Sequence, residues 1–148
     1  MKDQGDPISD DEWILRRVHR DNFITLDPPR INPYAFKPQI KGDLPDTTGI
    51  SFYRQACVVD HNDILAKTVE ARREKYGIVR LPVTFLKSLH LEVKRDDDHA
   101  EPIVMGHVIM PGINSIEYDQ NKDAVLPNML ALADYVNENQ EFLRLPSN

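Results

Sequence analysis

Apolar and polar positions follow two different rhythms along this chain, and the change falls near residue 57. Before it, apolar residues come in short bursts. Trp13-Ile14-Leu15-Arg16-Arg17-Val18 is β-prone at its apolar positions and predicts a first strand. Tyr34-Ala35-Phe36 predicts a short extended piece, and Gly49-Ile50-Ser51-Phe52-Tyr53-Arg54 a clearer one. Between them Pro28, Pro29, Pro33, Pro38 and Pro45 fall within eighteen residues. Proline neither propagates a helix nor pairs in a central strand, so this part is irregular. Residues 1–12 are polar and acidic and predict a disordered leader.

After residue 57 the pattern is more regular. Asp60 or Asn62 can cap a helix, because their side chains accept hydrogen bonds from free N-terminal amides. Ile64, Leu65, Thr68, Val69, Ala71 and Arg72 follow at roughly helical spacing and Gly77 can end the run, which predicts a helix over 62–76. Ile78-Val79-Arg80-Leu81 predicts a strand. Pro82 suits the first position of a short helix with Val83, Leu86 and Leu89 (or Phe85 and Leu89) on its apolar side. Leu91-Glu92-Val93 alternates as a half-buried strand does, and 95–101 is a charged loop. Ile103-Val104-Met105-Gly106-His107-Val108-Ile109-Met110 is the most apolar strand, with Gly106 marking a bulge or a close backbone approach. Leu126, Leu130, Ala133 and Val136 share one helical face, with Pro127 in the first turn, and residues after Phe142 are expected to fray.

The fold class that follows is α+β: one domain over 13–142, a mixed β-sheet with two or three packed helices and a proline-rich, irregular N-terminal part. The leader 1–12 precedes it and a frayed end, 143–148, follows. A chain of 148 residues has the size of one domain, and the first 57 could hardly bury a core alone. No apolar run approaches the ~18 residues of a membrane span, and the start lacks the pattern of a signal peptide. The single cysteine, Cys57, cannot close an intrachain disulfide. A cytoplasmic protein with no membrane contact is expected.

Charge adds an asymmetry. The net charge is −6, which argues against duplex DNA as a partner. Residues 14–57, however, carry seven basic and four acidic residues: Arg16, Arg17, Arg20, Arg30, Lys37, Lys41 and Arg54 are the basic ones. Sharing a face, they would meet an anion; spread over strands and loops, they would be solvated side chains.

Chemistry-bearing motifs are sparse. The six glycines form neither G-x-G-x-x-G nor a P-loop, and one cysteine with five scattered histidines lacks structural zinc spacing, so neither cofactor nor metal is expected. Asp96, Asp97, Asp98 and His99 form a weak candidate for a hard cation, more simply a solvated loop. Cys57 sits in an apolar setting and is expected to be a buried, unreactive thiol. His107 interrupts an apolar strand and is first a satisfied core histidine, second a site residue. Arg16-Arg17-Val18-His19-Arg20 ends the first strand with cations on both faces, and Tyr53 and Arg54 end the next clear one. Were these strands paired, Arg16 or Arg17 would approach Tyr53 or Arg54 and form a pocket for phosphate or carboxylate, which arginine grips as a bidentate fork.

Leu15-Arg16-Arg17-Val18-His19, then Ala35-Phe36-Lys37-Pro38, then Gly49-Ile50-Ser51, with the later Gly77-Ile78-Val79-x-Leu81 and Gly106-His107-Val108-Ile109-Met110-Pro111-Gly112, resembles a family of small uncharacterised bacterial proteins. The resemblance spans about residues 13–113 and its motifs are short. It implies no activity, but it rests on Arg16, Arg17, His19 and His107. Pro33-Tyr34 stands where the family pattern has two small residues, and the helix after residue 122 lies outside the match.

The missing motifs favour an interaction module that works with a protein partner, of the kind encoded in stress, toxin or phage-defence operons. The alternative is an enzyme acting on a phosphate-bearing substrate, a nucleotide or RNA, in an ADP-ribosyltransferase-like or nuclease-like manner. Arg16, Arg17, Tyr53 and Arg54 would bind, and Arg17, His19 and His107 are the catalytic candidates, since imidazole titrates near neutral pH. Duplex DNA binding ranks last.

Overall fold

Strand-forming alternation at the start of the chain becomes β1 (Trp13–His19) in the structure, a computed structural model that describes residues 1–42, 45–96 and 104–147. A hairpin follows, β2 (Phe23–Leu26) with β3 (Pro29–Ile31). Next come β4 (Ile50–Arg54), β5 (Tyr76–Pro82), α1 (Val83–Ser88), β6 (Lys94–Arg95) and β7 (His107–Met110). The chain then runs through α2 (Ser115–Gln120), α3 (Lys122–Asn139) and β8 (Phe142–Arg144). Six strands make one sheet in the order β6-β7-β4-β1-β5-β8, and each of its pairs is antiparallel. The α+β class and single domain are as expected, but the sheet, expected to be mixed, is antiparallel. No helix of the described residues is long and apolar enough to cross a membrane.

Period-two alternation assigns each strand residue to a face. Ile14 and Val18 of β1, Ile50 and Phe52 of β4, and Val79 and Leu81 of β5 face the main core. There they meet Val125, Met129, Leu132 and Val136 of α3. All ten are essentially inaccessible, and burying an aliphatic or aromatic side chain of this size contributes roughly 1.5–3 kcal/mol. On the opposite face Leu15 and Ile78 pack with Ile64, Leu65 and Val104 in a smaller cluster. That second face is only partly covered, which leaves room for a site. Asn137 fixes α3 to the hairpin: its side chain accepts from the Ile31 amide and donates to the Ile31 carbonyl, both at 2.9 Å.

Several local expectations give way to packing. Residues 62–76 do not form one helix. They form two 3-10 segments, His61–Leu65 and Glu70–Lys75, and Tyr76 already belongs to β5. Only Ile64, Leu65 and Thr68 of that stretch are buried, so no continuous apolar stripe exists to hold a longer helix against the sheet. The cap is Asp60, in a reciprocal capping box with Asp63. Tyr34-Ala35-Phe36 lies in a 3-10 turn, Pro33–Phe36, capped by Asn32, rather than in extended chain. Leu91-Glu92-Val93 is not a strand; the paired residues are Lys94 and Arg95. α3 begins at Lys122, which puts Pro127 inside the helix beyond its first turn. The end expected to fray after Phe142 is paired instead: Phe142–Arg144 joins β5, and the Ser147 amide donates to the Glu74 carbonyl. The hairpin and α2 had no counterpart in the sequence reading. Ile103, at the start of the expected apolar strand, lies outside the described residues.

The acidic leader is tied to the sheet rather than loose. Arg54 is fully buried and donates to both Glu12 carboxylate oxygens (2.7 and 2.8 Å) and to the carbonyls of Asp6 and Pro7. A buried guanidinium needs this many acceptors, and residues 6–12 supply them. Burial raises the Glu12 carboxyl, but hydrogen bonds from Arg54, the Ser9 amide and Lys2 outweigh it and bring it down to about 2. Arg54 is itself raised, chiefly by the Glu12 hydrogen bond.

Candidate functional site

β1 and β4 are paired at only two positions, Ile14↔Arg54 and Leu15↔Tyr53. Beyond Leu15 they separate. β1 stays with β5 as far as His19↔Tyr76, and β4 stays with β7 as far as Ile50↔Met110. A cleft of about 960 Å³ opens along this parting, bounded by β1, β4 and β7 and walled by parts of the proline-rich stretch. The wall is built locally. Asn32 caps the 3-10 turn that sets Tyr34 and Ala35, and the Gln39 amide donates to Asp46 Oδ2 at 2.7 Å. Lys37 and Lys41 reach the rim by this route.

The two adjacent arginines do different things. Arg16 bridges the parted strands: Nε donates to the Ala35 carbonyl at 2.8 Å and Nη1 to the Ser51 carbonyl at 2.9 Å. Its guanidinium also lies over the rings of Phe36 and Phe52. Burial pulls it down to about 10, against the raising charge of Asp46, so it stays charged at neutral pH. Arg17 points to the other face, is exposed, donates to Thr68 Oγ1 at 2.5 Å and lies over the Tyr76 ring. Its charge also lowers the phenol of Tyr53, although burial of that phenol dominates and raises it overall.

On the same face as Arg17, alternation along β4 places Ser51 and Tyr53, and the β4–β7 register sets Tyr53 against His107. His107 is 8% exposed. Its Nε2 is 2.9 Å from Ser51 Oγ and its Nδ1 is 2.8 Å from Asp96 Oδ2. The Asp96 carboxylate thus lies at ion-pair distance from the ring. A carboxylate beside Nδ1 favours the neutral tautomer that carries its proton there, and in that tautomer Nε2 accepts from the serine hydroxyl. Tyr53 packs on the imidazole with ring centroids 5.3 Å apart.

The leader holds this corner from behind. Gln4 Oε1 accepts from the Gly106 amide at 2.5 Å, and Gln4 Nε2 donates to the His107 carbonyl at 3.1 Å. Gly106 makes the close approach expected of it. Its φ is +86°, and a Cβ there would sit 2.6 Å from Cys57 Cβ. Cys57 is buried, and burial raises its thiol despite the lowering charge of Arg54.

The candidates named from sequence therefore divide. Arg16, Arg17, Tyr53, His19 and His107 all line the cleft. His19 lies two strands from His107, edge-on to Tyr76 at 5.2 Å, with Nδ1 accepting from the Asp21 amide. Arg54 is elsewhere, turned to the opposite face and held by Glu12. Of the acidic cluster, Asp96 joins His107, while Asp97, Asp98 and His99 lie outside the described residues. The sequence reading missed Ser51, Gln4, Thr68 and Tyr76. Alternation along β4 already put Ser51 and Tyr53 together, but only the β4–β7 pairing brings His107 to them. Arg16, Arg17, Lys37, Lys41 and Lys67 face Asp46 and Asp96 among the described lining residues, a cationic cleft in an acidic chain. Compared with known protein families, curated proteins and solved structures, the chain matches none.

Proposed function

We propose that this protein is an enzyme acting on a phosphate-bearing substrate, a nucleotide or RNA, bound in the cleft between β1 and β4. The observation that carries the reading is the shared face: an exposed Arg17 on the same side of the sheet as a buried His107 already bonded to a hydroxyl. Arginine supplies a planar fork for phosphate oxygens, and an imidazole within hydrogen-bond reach of an O–H supplies general acid–base catalysis. Lys37, Lys41 and Lys67 add positive potential around the same opening. The proline-rich stretch, which as a free surface would favour a protein partner, is used as the cleft wall, and this supports the enzyme over the interaction module.

Calorimetric titration with pyrophosphate and with a short RNA tests the reading. The wild-type protein binds at least one of them, and Arg17→Ala weakens that binding by tenfold or more, about 1.4 kcal/mol. Binding of neither ligand, or equal binding by wild type and variant, would sink it.

A further inference from the structure

We infer that Ser51 is a nucleophile, activated by His107 and positioned through Asp96, that takes a phosphoryl group from a phosphodiester. The inference rests on the phosphate-bearing substrate proposed above and assigns the chemistry of that site. Ser51 Oγ, His107 Nε2, His107 Nδ1 and Asp96 Oδ2 follow one another at 2.9 Å and 2.8 Å across their two contacts. This is the connectivity of a hydroxyl, its general base and the acid that holds the base's tautomer. The residues come from three segments of chain brought together by the sheet. Gln4 fixes the backbone on both sides of the His107 nitrogen, and Tyr53 packs on the ring, so the imidazole is held in place.

The surroundings select phosphoryl over acyl transfer. An acyl-transfer site needs backbone amides aimed at a single developing oxyanion. Ser51 lies within β4, opposite Ile109, and not at a turn where successive amides converge on one point. A phosphoryl group spreads its charge over several oxygens and is met by cationic side chains instead. Arg17 and Ser51 lie on the same face of the sheet, on either side of the parting between β1 and β4, and both line the cleft. In the first step the Ser51 hydroxyl gives its proton to His107 Nε2, its oxygen bonds to phosphorus, and one P–O ester bond breaks. His107 returns the proton to the departing alkoxide. Water, deprotonated by the same nitrogen, then attacks phosphorus of the seryl phosphodiester; the Ser51 Oγ–P bond breaks, His107 returns the proton to Oγ, and the phosphomonoester leaves.

The test is covalent trapping in the full-length protein. A phosphonofluoridate probe is added and the site of attachment is read by peptide mass spectrometry, with release of nitrophenolate from bis(4-nitrophenyl) phosphate and from 4-nitrophenyl acetate followed in parallel. Wild type is labelled on Ser51 and cleaves the diester. Ser51→Ala loses both but still binds pyrophosphate. His107→Gln slows labelling by about 10²–10⁴-fold, the range of a general base. Asp96→Asn slows it less and changes the pH profile of labelling, which a purely structural residue would not. Should His107→Gln fail to fold, the Asp96→Asn profile decides alone. Diester cleavage that survives Ser51→Ala overturns the nucleophile while leaving the phosphate-binding reading intact. Acylation of Ser51 by the acetate ester, with no reaction at phosphorus, overturns the phosphoryl assignment. Loss of pyrophosphate binding by wild type itself would instead count against the phosphate reading.

Discussion

Neighbouring arginines on a strand face opposite sides, and here that single fact separates scaffold from site. Arg16 donates to two main-chain carbonyls and lies over two buried rings, whereas Arg17, among the described residues, donates to Thr68 and lies over the Tyr76 ring at the edge of the cleft. A hydrogen bond from a charged donor contributes about 1.5–3 kcal/mol, and a carbonyl left without one inside the protein adds its own penalty. Arg16→Met is therefore expected to cost about 2–4 kcal/mol in denaturant unfolding. Arg17→Met should cost less than about 1 kcal/mol, because an exposed charge loses little when removed. A larger loss from Arg17 than from Arg16 would reverse the assignment. The run Arg16-Arg17 and the odd position of His107 were visible in the sequence. Which arginine would be tied to carbonyls and which left exposed was not, because that depends on which neighbour β1 keeps and which it leaves.

At the level of elements, the leader and β4 behave as one unit joined by Arg54 and Glu12. An unfolded glutamate titrates near pH 4.3, and folded Glu12 is held at about 2. Above pH 5 both states are ionised and the full stabilisation is present. As pH falls from about 5 to about 2 the unfolded chain takes up the proton first, so the native state loses that advantage; below 2 both are protonated. The group should account for on the order of 3 kcal/mol of stability across this window. Glu12→Gln should remove that part of the acid dependence and be less stable at pH 7, as measured by urea unfolding at stepped pH. An unchanged acid limb would show that the Arg54 site holds without the charge of Glu12. This coupling also explains what local pattern could reveal. β1, β4 and β5 announced themselves by apolar spacing within a few residues; so did the last helix, although its buried face is Val125, Met129, Leu132, Ala133 and Val136 and Leu130 of the expected face is exposed. The strap did not, since an acidic, polar stretch carries no sign of the buried arginine that will collect its carbonyls. The 62–76 helix failed for the converse reason: its spacing was adequate, but the sheet offered nothing to bury most of it.

For the whole molecule the decisive feature is a contrast of sign. The chain is acidic at −6, yet the parting of β1 from β4 collects Arg16, Arg17, Lys37, Lys41 and Lys67 around one opening. Net charge governs approach from a distance, and the local field governs what is held. A long, uniformly charged duplex meets the acidic remainder of the surface as well as the cleft, whereas a small phosphate ligand fits within the cleft's own field. Salt separates these cases. The Debye length falls from about 30 Å at 0.01 M to about 10 Å at 0.1 M and about 3 Å at 1 M, so cations lining the rim but not touching the ligand are progressively silenced. Pyrophosphate binding should weaken several-fold between low and high salt. Arg17→Ala should keep much of that slope while starting from weaker binding, because the three lysines still supply the long-range part. A triple Lys37→Gln, Lys41→Gln, Lys67→Gln variant should do the opposite, with a flatter slope and the Arg17 contact retained. Generic duplex DNA should give no salt-dependent shift in either protein. Salt-independent pyrophosphate binding would mean that the cleft recognises its ligand through Arg17 and close contacts alone, and the lysines would then be solvated rim rather than part of the site.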